Sequence, residues 1–159
     1  MDITIIVAMT KDRVIGEGGM IPWHSAEDMK LFKALTTGNT VIMGKTTWLS
    51  LPDKYRPLPE RANIIVSTTL DEQDGAKVCR NVEEAVTEAR KNNNTIYCMG
   101  GGRLYSSMFP LVDSMCISWI NGAYDGDTYF PQINFNEWKE EETKEFPDFV
   151  FKRYSRILK

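Results

Sequence analysis

YCMGGGRLY, residues 97–105, and VIMGKTTW, residues 41–48, share one pattern. In each segment an apolar run ends at a methionine, glycine follows, and a basic residue begins a predicted helix. Apolar, β-branched runs of this kind recur along the chain and have the composition of strands buried on both faces. Strands that alternate with helices predict an α/β fold with a largely parallel sheet. The expected strands are 3–9, 40–43, 63–67, 95–99 and 115–120.

Two longer helices are predicted at 25–35 and 81–91. Each opens with a capping residue that is followed three positions later by an acid. Shorter helices are expected after Gly44 and after Gly102.

Three further segments show a weaker pattern. The run at 77–79 is expected to add a short strand, and the tail at 149–154 another strand at an edge of the sheet. The acidic stretch 137–145 is interpreted as a solvated surface segment.

The composition is typical of one globular domain. The chain has 159 residues, of which 42% are hydrophobic and 26% charged, and it contains no low-complexity stretch. We therefore expect a single domain spanning 1–159. A net charge of −3 disfavours nucleic acid as a partner. The apolar run at 3–9 is too short for a signal peptide or a membrane span, so we expect a cytoplasmic protein without a membrane partner.

Cysteine and histidine usage disfavours two kinds of site. The three cysteines lack CxxC spacing, so a disulfide framework is not expected. His24 is the only histidine, so a metal site would have to be assembled from scattered ligands, and we predict none.

The glycine turns at 44 and 100–102 suit a nucleotide. Helix N-termini offer free N–H groups and a partial positive charge, and glycine lets a phosphate approach closely. Two such helix ends on one sheet suit a dinucleotide, although ordinary turns between strand and helix would carry the same glycines. The formal motifs fail, because Tyr105 stands where GxGxxG requires glycine and Asn39 stands where the Walker motif does.

Asp28 is the most informative single residue. On the predicted helix 25–35 it shares one face with large apolar side chains three, four and seven positions later. Burial would raise the pKa of this carboxyl and suit it to bind an amidine-like edge or to supply a proton. The alternative is structural, since Asp28 is also the third residue of a capping box. The glycine-rich segment 16–23, which ends in Trp23, has the character of a mobile lid and favours the functional interpretation.

These features resemble dihydrofolate reductase over nearly the whole chain. Each matching group is weak alone, and their combination in the family's order is specific. The matching residues are Ile6-Val7-Ala8, Asp12-Arg13-Val14-Ile15-Gly16, Ile21-Pro22-Trp23, Asp28 with Phe32, Val41-Ile42-Met43-Gly44 with Thr47 and Trp48, Arg56-Pro57-Leu58-Pro59 with Arg61 and Asn63, Gly100-Gly101-Gly102-Arg103 with Tyr105, and Gly126-Asp127-Thr128 with Phe130-Pro131.

The resemblance implies a fold and a reaction. The fold is an eight-stranded, mostly parallel sheet with an antiparallel C-terminal edge strand and about four helices. The reaction is the NADPH-dependent reduction of 7,8-dihydrofolate to 5,6,7,8-tetrahydrofolate in one-carbon metabolism, with hydride to C6 and a proton to N5. The family also implies a cytoplasmic monomer that binds antifolate inhibitors.

The resemblance also implies a substrate site. Asp28 would anchor the pterin ring and promote protonation at N5, with Trp23 beside it and the Ser118 hydroxyl bonded to it. Arg61 would meet the α-carboxylate of the glutamate tail, which suits a guanidinium fork, and Arg56 would lie nearby at the mouth of the cleft. The apolar cleft would be formed by Ile6, Ala8, Met29, Phe32, Leu51, Leu58 and Met99.

The cofactor would lie along the lid and the two glycine turns. Tyr105, counted among the catalytic residues, would pack near the nicotinamide, and the peptide bond between Gly100 and Gly101 would be cis. The group that would hold the 2′-phosphate, and so favour NADPH over NADH, is Lys45, Ser67, Thr68 and Arg80. The full set of expected cofactor-binding residues is Ala8, Val14, Ile15, Gly16, Glu17, Gly18, Gly19, Met20, Gly44, Lys45, Thr46, Thr47, Ser67, Thr68, Arg80, Gly100, Gly101, Gly102, Arg103, Leu104 and Tyr105.

Several positions depart from the family pattern without removing a group that the reaction needs. Ser118 stands where threonine is usual and loses only a methyl. Lys45-Thr46 replaces a commoner arginine-histidine pair, which weakens 2′-phosphate binding because lysine lacks a bidentate fork. Gly18-Gly19 is expected to loosen the lid.

Two alternatives stay open at the level of sequence. The pyrimidine reductase of riboflavin synthesis has a related fold and uses NADPH, but it would have no use for Arg61 as the partner of a glutamate tail. A non-catalytic nucleotide-binding module would have no need of Asp28 or of the lid.

Overall fold

The computed structural model describes residues 2–17 and 21–157. Within those ranges the chain forms ten strands and four α-helices, with short 3₁₀ turns between them. The strands are β1 (Ile3–Met9), β2 (Val14–Gly16), β3 (Thr40–Gly44), β4 (Ala62–Val66), β5 (Ala76–Cys79), β6 (Ile96–Cys98), β7 (Ser114–Ile120), β8 (Thr128–Tyr129), β9 (Trp138–Glu145) and β10 (Phe149–Arg156). The helices are α1 (Ala26–Thr36), α2 (Lys45–Ser50), α3 (Val82–Arg90) and α4 (Gly102–Met108).

Eight strands form one sheet in the order β5-β4-β3-β6-β1-β7-β10-β9. The pairs β1–β6, β1–β7, β3–β4, β3–β6 and β4–β5 are all parallel. Strand β10 runs antiparallel to both β7 and β9. The expected α/β fold, with eight mostly parallel strands and four helices, is confirmed.

The C-terminal edge of the sheet differs from the expectation. The acidic stretch forms strand β9, which is the edge, so β10 lies between β7 and β9 rather than at the edge itself. All residues of β9 after Trp138 are exposed, and Glu140 pairs with Lys152 of β10 at 2.8 Å. An edge strand with both faces in water shows no apolar alternation, so hydrophobicity does not reveal it, and its charges discourage pairing with another chain.

The sheet has an apolar core on each face. In β1, the side chains of Ile3, Ile5, Val7 and Met9 enter one core together with residues of α3 and α4. Ile6 enters the other core, against which α1 packs and to which α2 contributes Trp48. We call these the α3–α4 face and the α1 face. Burial on both faces explains why β1 is apolar at every position except Thr4, whose hydroxyl forms a hydrogen bond with that of Ser114 at 2.8 Å.

The three cysteines lie in these cores with free thiols. Cys79 and Cys98 are fully buried, and Cys116 is 3% exposed. Burial raises the pKa of the Cys98 thiol to about 12 and that of the Cys116 thiol to about 11. Among the helices of the described ranges, none combines the length and the apolar character needed to cross a membrane.

Candidate active site

Asp28 takes part in the helix cap through its backbone and contacts the sheet through its side chain. Its backbone N–H donates to the Ser25 Oγ at 3.2 Å, which is the capping bond that begins α1. Its carboxylate Oδ1 accepts a hydrogen bond from the Ser118 Oγ of β7 at 2.6 Å. The side chain therefore reaches across from the first turn of α1 to the sheet, while the backbone caps the helix.

The environment of Asp28 favours its protonated form. Burial is the largest influence and raises the pKa of the carboxyl, the hydrogen bond from Ser118 lowers it, and the negative charge of Asp148 raises it again. The net shift of the pKa is upward from the ordinary 3.8. Such a carboxyl carries a proton at higher pH than an exposed aspartate does.

The expected apolar residues gather beneath α1. Ile6 of β1 and Leu58 belong to the core of the α1 face. The partly buried side chains that pack against this core include Trp23, Ala8, Phe32, Leu51 and Met99. The helix side chains Leu31, Phe32 and Leu35 all face this core, as their spacing predicts.

Met29 is placed differently from the other expected cleft residues. Its side chain is 59% exposed on α1, next to Asp28 in the chain but away from the packed core. The structure therefore brings together six of the seven expected apolar residues, and Met29 lies on the exposed side of the helix.

Trp23 makes a contact that the sequence does not signal. Its ring packs against Tyr124 with a centroid separation of 5.3 Å and an interplanar angle of 60°. Tyr124 lies in the connection between β7 and β8, so this pair joins the residue that ends the expected lid to a distant loop.

Arg61 is oriented by neutral groups. Its Nε donates to the Pro59 carbonyl at 2.8 Å, its Nη1 donates to the Thr36 Oγ1 at 3.1 Å, and the guanidinium lies 5.9 Å from the Phe32 ring centroid. Partial burial lowers the pKa of this guanidinium. Within the described part of the chain no carboxylate lies within ion-pair distance of the guanidinium, although the negative charge of Glu60 raises its pKa, so Arg61 is held in place without a direct acidic partner.

Arg56 differs from Arg61 in this respect. Its Nη2 donates to the Asp53 Oδ1 at 2.9 Å within the same short turn. The peptide bond between Arg56 and Pro57 is cis, which the sequence analysis did not anticipate.

The two glycine turns are adjacent because β3 and β6 are parallel neighbours. The Gly44 N–H donates to the Gly100 carbonyl at 2.8 Å, and the peptide bond between Gly100 and Gly101 is cis, as the resemblance implies. Gly100 has φ +108°, and a Cβ there would lie 3.1 Å from the Tyr105 ring. At that distance a Cβ would press against the ring more tightly than ordinary van der Waals contact allows, so the packing of Tyr105 against this turn requires glycine.

Tyr105 connects these turns to β1. Its hydroxyl donates to the Ile6 carbonyl at 2.8 Å, and burial raises its pKa well above 10.0. Leu104 is buried beside it on α4, whereas Arg103 is exposed. The Thr47 Oγ1 lies 3.7 Å from where a Cβ of Gly101 would be, so this hydroxyl faces the second turn.

A cationic cluster surrounds the turn that follows β4. The Ser67 Oγ accepts from the backbone N–H groups of Thr69 at 3.2 Å and Leu70 at 3.0 Å, which closes the turn. The Arg80 Nη1 donates to the carbonyls of Ser67 at 2.9 Å and Leu70 at 2.8 Å. The Lys45 Nζ donates to the Thr69 Oγ1 at 3.1 Å. Over residues 2–17 and 21–157, neither cation forms an ion pair with a carboxylate.

Two further residues that were expected to bind the cofactor lie at the surface of this region, and a third residue of the region was not predicted from the sequence. Thr46 and Thr68, both expected to bind the cofactor, are exposed beside the cluster. Thr69, which holds Lys45, was not anticipated. The hydroxyl-rich run Ser67-Thr68-Thr69 directly after a strand is the sequence signal that would have included it.

The segment 14–20, which the resemblance assigns to cofactor binding, begins as a short strand. Val14–Gly16 pairs with Thr128–Tyr129, and the Asp127 N–H donates to the Gly16 carbonyl at 3.0 Å. Ile15 is partly buried against the core of the α3–α4 face and lies 3.8 Å from where a Cβ of Gly102 would be. Glu17 is exposed. The rest of the expected contact segment, Gly18, Gly19 and Met20, falls outside the described residues.

Metal ligands are not clustered in what the structure describes. Across those residues, no group of three or more His, Cys, Asp or Glu side chains converges on a point that a metal ion would occupy.

Comparisons with known proteins agree with this geometry. The family model for dihydrofolate reductase matches residues 2–156. A dihydrofolate reductase of Haemophilus influenzae is 40% identical over 141 residues, covering 89% of this chain and 86% of that protein. A dihydrofolate reductase of Neisseria meningitidis serogroup A is 38% identical over 146 residues, covering 91% of this chain and 88% of that protein.

A solved structure is similar over nearly its full length. Dihydrofolate reductase from Enterococcus faecalis, complexed with NADP(H) and RAB-propyl, superposes with a TM-score of 0.87 at 29% identity. The alignment covers 98% of this chain and 96% of that chain. These matches favour neither the riboflavin-pathway reductase nor a non-catalytic module. With one family model spanning residues 2–156 and close relatives of the same name, the chain belongs to the dihydrofolate reductase family.

Proposed function

We propose that this chain reduces 7,8-dihydrofolate to 5,6,7,8-tetrahydrofolate with NADPH, and that Asp28 is its acidic group. The observation that carries the proposal is the Asp28 carboxylate, held by Ser118 at 2.6 Å on the apolar face of α1. A partly buried acid with a raised pKa needs a polar ligand to offset its desolvation. The pterin edge of dihydrofolate, with its N3–H and 2-amino group, offers two donors to one carboxylate.

The carboxyl has a second task at N5. Because burial raises its pKa, Asp28 promotes the arrival of a proton at N5 of the bound pterin. Ser118 donates one hydrogen bond to Oδ1, and since each carboxylate oxygen can accept two, both oxygens remain able to accept from the two donors of the substrate. Trp23, packed against the same core, shields the site from bulk water.

The rest of the substrate meets apolar groups and one cation. Ile6, Ala8, Phe32, Leu51, Leu58 and Met99 present the surface for the pterin and benzoyl rings, and Met29 is assigned to the rim. Arg61 binds the α-carboxylate of the glutamate tail, which its orientation by neutral partners supports. Arg56 contributes at the mouth, where its ion pair with Asp53 already uses part of its charge.

The residues present fit NADPH. Lys45 and Arg80 form a cationic cluster without an acidic partner among the described residues, and a Cβ at Gly101 would have the Thr47 Oγ1, at 3.7 Å, as its nearest described neighbour, so a ligand can approach this turn closely. When bound, NADPH supplies a hydride that is accepted at C6 of dihydrofolate.

Individual residues divide the work of holding this cofactor. Lys45, Ser67, Thr68 and Arg80 hold the 2′-phosphate, which only the phosphorylated nucleotide carries. Gly44, Thr46, Thr47, Gly101, Gly102, Arg103 and Leu104 lie along the diphosphate. Ala8, Tyr105 and the 14–20 segment enclose the nicotinamide side and exclude water.

The proposal is tested by mixing the purified protein with NADPH and dihydrofolate and following the loss of NADPH absorbance. We expect turnover that stops on addition of an antifolate. Absence of turnover with dihydrofolate, while NADPH still binds, would overturn the proposed function.

We further propose that residues 1–159 act as one dihydrofolate reductase domain, as a cytoplasmic monomer that binds antifolates and neither nucleic acid nor membranes. The three free thiols and the net charge of −3 support this proposal. Sedimentation of the purified chain tests the monomer, since a dimer would have twice the mass.

A further inference from the structure

The turn at 67–70 is the start of a longer connection that lies along α2. Its first half is held by Lys45, whose Nζ donates to the Thr69 Oγ1 at 3.1 Å. Its second half is held by Trp48, whose indole Nε1 donates to the Gln73 Oε1 at 3.1 Å. Lys45 and Trp48 are three residues apart on one helix, so they project from the same side of α2.

The Gln73 amide is fixed on both sides. Its Nε2 donates to the Asp71 carbonyl at 3.1 Å and to the Glu72 carbonyl at 3.2 Å, so its oxygen must face the indole N–H. Trp48 is 1% exposed, so its N–H would lose its partner if the amide were removed. The hydrogen bond is therefore both specific in orientation and costly to break.

The far end of this connection is fixed as well. Gly75 has φ +79°, and a Cβ there would lie 2.6 Å from the Pro57 Cγ. The Gln73 carbonyl accepts from the Ala76 N–H at 3.3 Å, which leads directly into β5. Two side chains of the connection are therefore bonded to α2: Thr69 bonds the first half to Lys45, and Gln73 bonds the second half to the buried Trp48.

We propose that Gln73 is a positioning residue for the 2′-phosphate of the cofactor. It acts through Trp48. The hydrogen bond from the Trp48 indole to the Gln73 amide holds the 67–76 connection against α2, so that Lys45 and the Ser67–Thr69 turn can bind the same phosphate. This inference rests on the proposed assignment of Lys45, Ser67 and Arg80 to that phosphate. It predicts that Gln73, which need not touch the nucleotide, sets the preference for the phosphorylated form.

The test compares two probes that differ only in the 2′-phosphate, adenosine 2′,5′-bisphosphate and 5′-AMP, by titration calorimetry. In Gln73→Met, a change of similar volume that cannot accept the indole N–H, we expect the affinity for the bisphosphate to fall about five- to tenfold. The affinity for 5′-AMP should change less than about twofold. The matched control is Gln132→Met, the same substitution on an exposed loop, which should change neither affinity.

A second variant removes the other half of the bond. Trp48→Phe keeps a buried ring and should reproduce the loss seen in Gln73→Met, and the double variant should be no worse than either single one. Equal losses for both probes, or losses that multiply in the double variant, would overturn the positioning role. A wild-type protein without preference for the bisphosphate would instead overturn the 2′-phosphate assignment, and this inference with it. Thermal unfolding of each variant confirms that the protein titrated is folded.

Discussion

On the β9–β10 hairpin Glu140 and Lys152 form an ion pair at 2.8 Å, whereas in the cleft Asp28 is bonded to the neutral hydroxyl of Ser118 at 2.6 Å. The pKa values move in opposite senses in the two regions. Hydrogen bonding to Lys152 lowers the pKa of Glu140 and favours its charge, while burial raises the pKa of Asp28 and disfavours its charge.

The same contrast holds for the cations. The bond to Glu140 raises the pKa of Lys152, and burial lowers the pKa of Arg61. Charges on the hairpin are satisfied within the protein, and charges in the cleft are only oriented by it. The contrast shows where binding energy for a charged ligand is available.

The largest effect, a loss of turnover, is expected from Asp28→Asn, which removes the partly buried charge of the cleft. The amide still accepts from Ser118 but cannot carry the negative charge or promote protonation, so turnover should fall by about 10² or more. NADPH binding and the folded state should persist. Rates near wild type would remove Asp28 from its proposed role.

Arg61→Ala should weaken dihydrofolate binding by about ten- to a hundredfold with little change in the maximal rate, because a charge-assisted bond to the glutamate tail is lost. Arg56→Ala is the matched comparison, since Arg56 is already paired with Asp53, and its effect should be smaller. Equal effects of the two changes would contradict the distinction between oriented and satisfied cations.

Ser118→Ala should move the pH profile. The bond from Ser118 lowers the pKa of Asp28, so its removal raises that pKa further. Turnover that depends on a proton from this site falls as the pH rises through the pKa, and in the variant this decline should occur at higher pH. Ser118→Thr keeps the hydroxyl and should leave the decline in place; a shift there would point to packing instead.

Asp28→Asn should also stabilise the fold at neutral pH. A carboxyl whose pKa is raised on folding contributes stability below its ordinary value of 3.8 and loses it as the pH rises through the raised pKa. Removing the ionised group should raise the melting temperature at pH 7; in a chain of this size, each gain of about 1 kcal/mol in stability corresponds to about 2 to 4 °C. The gain should disappear as the pH is lowered toward 3.8, and a gain independent of pH would refute this explanation.

Glu140→Gln is expected to have the smallest effect on stability and activity of the substitutions considered. The pair with Lys152 is exposed and screened by water, so the melting temperature should change by less than about 2 °C and turnover should not change. A large loss of activity would show that the hairpin and the cleft are coupled.

The sequence predicts those elements of the fold whose signal lies within a few consecutive residues. Apolar runs mark β1 and β7, and capping residues mark where α1 and α3 begin, because each signal is contained within a few neighbouring residues. Strand β9 carries charge at nearly every position, so it lacks the alternation of apolar and polar residues that predicts a strand. Strands β2 and β8 are only three and two residues long, which is too short for any periodicity to be detected.

The residues of the candidate site likewise fall into those that a local pattern predicts and those that it does not. Asp28 is recognisable because an acid on an apolar helix face is a local anomaly, and the family resemblance adds Ser118 as its partner. Tyr124 and Gln73 were missed because each contacts a residue far away in the chain and no local pattern indicates the contact. Thr69 was missed although it belongs to the hydroxyl-rich run that follows β4.

The three buried thiols make the native protein a convenient host for site-directed probes. Thiolates are the reactive species, and raised pKa values of about 12 for Cys98 and about 11 for Cys116 suppress them. With Cys79 also enclosed, maleimide dyes should leave the folded chain unlabelled. A single cysteine introduced at the exposed Glu17 would then be labelled selectively, and its fluorescence would report on the binding of ligands.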